Sequence, residues 1–81
     1  MKFKPGNLLK NEVNGGLWIV TEVIEIPKQP DRRDRFRMQL NAACVQPGLS
    51  RVNFAGSSDT WFFKEVDGND GDHMWTVINE V

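Results

Sequence analysis

The clearest pattern in this 81-residue chain runs from Arg35 to Val45. Phe36, Met38, Leu40, Ala42 and Cys44 fall at every second position, with Arg35, Arg37, Gln39 and Asn41 between them. One face is therefore apolar and the other polar until Ala43, the signature of a half-buried strand. Such a strand cannot stand alone, because its apolar face and both backbone edges need partners.

The other segments read as those partners. Pro5-Gly6 marks a turn before a brief first strand at Leu8-Leu9-Lys10, and Asn14-Gly15-Gly16 supplies the next turn. Leu17 to Ile26 is rich in β-branched residues; it opens with apolar residues on both faces and then mixes Thr21, Glu22 and Glu25 with Val23, Ile24 and Ile26, which predicts a long, bent strand. Pro27 to Asp34 is a polar loop, and Gln46-Pro47-Gly48 ends the amphipathic strand. Arg51 to Gly56 alternates again and predicts a further strand with Val52 and Phe54 inward, followed by a turn or single helical turn at Ser57 to Thr60. Trp61 to Val66 and His73 to Glu80 flank a glycine-containing acidic loop and predict a closing hairpin.

The length fits one domain, residues 1–81, near the size at which a single core is only just sufficient. A 40% apolar fraction with five Phe and three Trp argues against disorder. The formal charge is −1, so any nucleic-acid contact must be local. Cys44 is the only cysteine, which excludes an internal disulfide and a multi-cysteine zinc site; its place on the apolar face makes it a buried hydrophobe. No signal peptide or membrane span is visible, so a cytoplasmic protein is the expectation.

Phe3-Lys4-Pro5-Gly6-Asn7-Leu8-Leu9, then a Gly-Gly turn, then Trp18-Ile19-Val20-Thr21 entering a long strand, resembles small SH3-like barrel proteins over about the first third of the chain. Such proteins commonly carry Asp where this chain has Asn7. The resemblance implies a fold used for binding proteins or nucleic acids. With the strand pattern it gives an all-β expectation: a small antiparallel SH3-like barrel or rolled sheet of five to six short strands.

Lys28 to Arg37 holds five basic and two acidic residues, a net +3, and offers Arg32, Arg33, Arg35 and Arg37 as contacts for phosphate or an acidic protein; the rival reading is a solvated hairpin whose charges pair internally. Asp59 to Asp72 carries a net −4. Its Asp67-Gly68-Asn69-Asp70-Gly71-Asp72 stretch fails the register of a calcium-binding EF-hand and reads as an ordinary acidic turn. His73 is the sole histidine, and no nucleophile elbow or phosphate-cradling glycine loop is present, so neither an enzyme nor a metal or cofactor site is expected. Three Trp with Phe62 and Phe63 exceed what so small an interior easily encloses; Trp61, Phe62 and Trp75 are therefore candidate contact residues.

These features point to a non-enzymatic protein-binding module, in a format suited to an accessory or inhibitor protein of a phage or other mobile element acting on a host protein. Two alternatives stay open. One is an RNA or single-stranded DNA binder that uses the arginine loop and an exposed aromatic. The other is a structural subunit of a homo-oligomer, which opposite charge on two lobes would favour.

Overall fold

The computed structural model describes residues 3–27, 36–49, 54–65, 67–71 and 74–79. Five strands, β1 (Leu8–Asn11), β2 (Leu17–Glu25), β3 (Met38–Gln46), β4 (Ser58–Phe63) and β5 (Trp75–Val77), form one antiparallel sheet in the order β4-β3-β2-β1-β5. The first four make a meander, and the last returns to lie outside the first. A 3-10 turn, Asn69–Gly71, lies between β4 and β5. The molecule is all-β, as the strand pattern predicts, and among the described residues no helix is long and apolar enough to cross a membrane.

The alternation in β3 puts Met38, Leu40, Ala42 and Cys44 on the inner face, all buried. Leu9 from β1, Trp18 and Val20 from β2, Phe63 from β4 and Trp75 from β5 meet them, with Phe3 from the lead-in segment. Each large side chain fully withdrawn from water contributes about 1.5–3 kcal/mol.

The mixed pattern of β2 has a specific cause. Val20 pairs with Ala42 while Glu22 pairs with Asn41, so Thr21 is an extra residue without a cross-strand partner. This bulge shifts the alternation by one, turning Val23 towards the core side and Glu22 to the outer face, and it bends the strand. The Thr21 hydroxyl donates to the Asn41 carbonyl at 3.1 Å, which anchors the bulge. The bend rolls the sheet far enough for rings on its two edge strands to touch: Trp61 on β4 and Trp75 on β5 have centroids 4.9 Å apart.

Two expectations fail here. Residues 51–53 of the predicted further strand lie outside the described residues, and Phe54 is not inward: it stands 67% exposed in a turn closed by the Ser57 N–H donating to its carbonyl at 2.9 Å. The strand begins instead at Ser58, within the stretch read as a turn or helical cap. Nor do β4 and β5 form a hairpin. β4 pairs with β3 and β5 with β1, because the segment between them crosses the end of the roll. Gly68 and Gly71 allow that crossing, since a Cβ at Gly68 would strike Phe3 and Met38 and one at Gly71 would strike Phe63. The acidic loop is built into this crossing: the Asp70 carboxylate accepts from the Lys64 and Glu65 N–H groups at 2.8 and 3.2 Å and so terminates β4.

The lead-in is a type II turn, with Pro5 and Gly6 (φ 92°) central and the Asn7 N–H donating to the Lys4 carbonyl at 3.0 Å. Asn7 is buried, and its side chain uses both of its functions. Its Oδ1 accepts from the Lys4 N–H at 2.7 Å, and its Nδ2 donates to the carbonyl of Asn79, 72 residues away, at 3.0 Å. Asn79 Oδ1 in turn accepts from the Leu8 N–H, and the Ile78 N–H donates to the Leu8 carbonyl. A carboxylate at position 7 could not donate, which accounts for amide rather than acid here. At the other end of the roll Gly48 (φ 63°) lies against the Asn14 carbonyl and the Gly16 nitrogen, seating one turn on another.

Asn7→Asp is expected to destabilise the fold by about 1–3 kcal/mol, since it leaves a buried carboxylate facing the Asn79 carbonyl. Gly48→Ala is expected to cost about 2 kcal/mol or more, because a side chain there meets backbone at a positive φ. Urea denaturation of both variants measures these losses.

Candidate partner-binding surface

Among the aromatic residues singled out in the sequence, the roll separates core from surface. Trp75 is buried and supplies no contact surface; its Nε1 has no hydrogen-bond partner. Trp61 is half-buried and stands edge-on between two buried rings, 4.9 Å from Trp18 at 85° and 4.9 Å from Trp75 at 77°. These T-shaped contacts match the positive edge of one ring to the negative face of another. Phe62 and Phe63, adjacent on β4, point to opposite faces: Phe63 is in the core and Phe62 is 48% exposed.

Of the arginines, Arg32, Arg33 and Arg35 lie outside the described residues. Arg37 is half-buried and joins two strands. Its Nε donates to the Ile26 carbonyl at 3.1 Å, its own carbonyl accepts from the Ile26 N–H at 2.9 Å, and its N–H donates to the Phe63 carbonyl at 2.8 Å. Its first function is therefore to hold the end of β2 against β3.

Phe36 was placed on the inner face by the sequence pattern, and this is corrected. β3 begins at Met38, which pairs with Phe63, while Arg37 also donates to Phe63, so two residues oppose one. That extra residue shifts the alternation and turns Phe36 outward, 44% exposed. There its ring meets that of Phe62, with centroids 5.3 Å apart and planes at 39°. The sequence signal was the position of Phe36 at the mouth of a charged loop, where strict alternation need not persist.

Beside this pair the outer face is polar. Ile24, Gln39 and Phe62 lie in one cross-strand row, and Glu22, Asn41 and Thr60 in the next. Asn41 is the hub: its Oδ1 accepts from Gln39 Nε2 at 3.1 Å and from the Thr60 hydroxyl at 2.9 Å, and its Nδ2 donates to the Glu22 carboxylate at 3.3 Å. Glu22 is exposed on this face, whereas Glu25 and Asp59, paired with Met38 and Ala42, belong to the rows of the opposite face. Among the described residues no group of three His, Cys, Asp or Glu could hold a metal ion, and Cys44 is buried in the core.

Comparisons with protein-family models, with characterised proteins and with solved structures found no match to this chain.

The division of the aromatics gives an expected contrast. Trp61→Ala removes the ring between two buried indoles and is expected to cost about 2–4 kcal/mol. Phe62→Ser, on the outer face, is expected to cost less than about 1 kcal/mol. Parallel chemical denaturation checks both, and comparable losses would overturn the division into core and surface rings.

Proposed function

We propose that this protein is a non-enzymatic binding module whose ligand is another protein, met on the outer face of β3 and β4. One observation carries the reading: Phe36 and Phe62 stand ring to ring, each about half exposed, on a face whose neighbouring positions are mostly amide, hydroxyl and carboxylate. Two phenyl rings held together at the surface leave apolar area in water, and its removal by a partner is favourable by roughly 25 cal/mol per Å². An apolar centre with a polar rim is the usual anatomy of a protein interface.

The rolled sheet, with its last strand returned beside its first, supports the SH3-like resemblance and thereby a binding role. The small format suits an accessory or inhibitor protein of a phage or other mobile element, working in the cytoplasm on a host protein. The described positions beside Phe62 weigh towards protein as the ligand of this face: they are Gln39, Asn41, Thr60 and Glu22 rather than a run of basic residues.

Pulldown from bacterial lysate with tagged wild-type chain and the Phe62→Ser variant, each with and without nuclease, tests the proposal. The expected result is a protein retained after nuclease by the wild type and depleted about tenfold with Phe62→Ser, the effect of losing a contact worth about 1.4 kcal/mol. Retention that disappears with nuclease would establish the nucleic-acid alternative, and retention unaffected by Phe62→Ser would remove this face from the function.

A further inference from the structure

The free edge of β4 has a chemistry of its own. The Ser57 carbonyl accepts from the Cys44 N–H at 2.7 Å and the Phe63 carbonyl from the Arg37 N–H at 2.8 Å, so these residues turn their backbone towards β3. In a strand the N–H and C=O of one residue point to the same side, and successive residues alternate. Asp59 and Trp61 therefore also face β3, and the backbone groups of Ser58, Thr60 and Phe62 face away from the sheet. β4 ends the sheet, and no strand among the described residues lies against them. One of these donors is occupied locally, the Thr60 N–H donating to the Asp59 carboxylate at 2.8 Å.

We infer that this edge takes an extended segment of the partner polypeptide, added as a further strand beside β4 and carrying a Lys or Arg opposite Asp59. The inference rests on the protein-binding reading and names how the partner docks. Backbone donors and acceptors presented at every second residue are matched by another strand and by little else. Side chains of an added strand alternate between two faces, and β4 offers an aromatic on each: Phe62, packed on Phe36, on the outer face, and half-buried Trp61 on the inner. Asp59 supplies the charge selection. In the free chain its carboxylate holds the Thr60 N–H, and a cation on the incoming strand draws it off and releases that donor. The same carboxylate disfavours a second copy of this chain, whose β4 edge would bring its own Asp59 to the contact.

The test selects peptides from a displayed random twelve-residue library on the immobilised full chain, then follows backbone amide exchange of the isotopically labelled chain with the tightest peptide. Expected are peptides that alternate apolar and basic residues, with exchange at Ser58, Thr60 and Phe62 slowed at least about tenfold on binding. Ser58→Pro is the matching variant. Position 58 is the first residue of an edge strand with its N–H outward, where Pro is tolerated, and the lost hydrogen bond is expected to weaken peptide binding roughly fivefold to tenfold with the fold's midpoint of denaturation little changed. Peptides that bind in a Phe62-dependent way but leave those three amides exchanging as in the free chain overturn strand addition and leave the protein-binding face standing. Failure to select any peptide, or peptides indifferent to Phe62→Ser, overturns both. Slowed exchange that grows with protein concentration and needs no peptide assigns the edge to a second copy and overturns the inference.

Discussion

Trp61 is the keystone of this fold. Its ring stands edge-on to Trp18 in the middle of the sheet and to Trp75 on the opposite edge strand, so a single side chain ties β4, β2 and β5 together. No hydrogen-bonded ladder joins the two edges of the sheet; between β4 and β5 side-chain packing takes its place. A domain this small has few ways to hold a rolled sheet shut, and three indoles linked edge-on through Trp61 concentrate apolar burial where the roll would otherwise open. The buried Nε1 of Trp75, without an acceptor, is a cost that packing accepts at this point.

Because the large rings are committed inward, the few that are not stand out. Phe62 is directed outward by ordinary strand alternation, since its neighbours Trp61 and Phe63 both belong inside or near the inside. Phe36 joins it through an irregularity, the doubled pairing at Phe63. Two of the sheet's bulges matter here: one in β2 bends the sheet to enclose the tryptophans, and one at the start of β3 places a phenyl ring on the surface. The polar row of Glu22, Asn41 and Thr60 separates this ring pair from Ile19 and Ala43 further along the same face.

Much of the architecture was legible in the sequence. The alternation from Met38 to Cys44 identified the central strand and its buried face, and turn chemistry at Pro5-Gly6, Asn14-Gly15-Gly16 and Pro47-Gly48 placed three of the reversals. The bend of β2 was visible as mixed polarity, though not as one extra residue at Thr21. What could not be read were long-range choices. Ser58 to Thr60 have turn-like side chains, yet β3 offers them a free edge, and tertiary pairing overrides local preference. The separation of β4 from β5 depends on Gly68 and Gly71 fitting against Phe3 and Phe63, a packing relation with no local signal. Of the candidate site, Phe62 was legible and Phe36 was misplaced, because alternation is a rule of regular strands and fails at a bulge.

The pairing of β1 with β5 sets an order on how the chain can assemble. Leu9 faces Val77, and Asn7 reaches Asn79 across 72 residues, so β1 is completed by β5 rather than by a sequence neighbour on that side. β2, β3 and β4 can zip together as neighbours, but until β5 docks Trp61 has only one of its two indole partners and Leu9 lacks one side of its enclosure. Closing so long a loop is entropically slow. Closure of the roll therefore waits on this longest-range pairing, and until β5 docks the tryptophan-lined side of β2, β3 and β4 stays open to water.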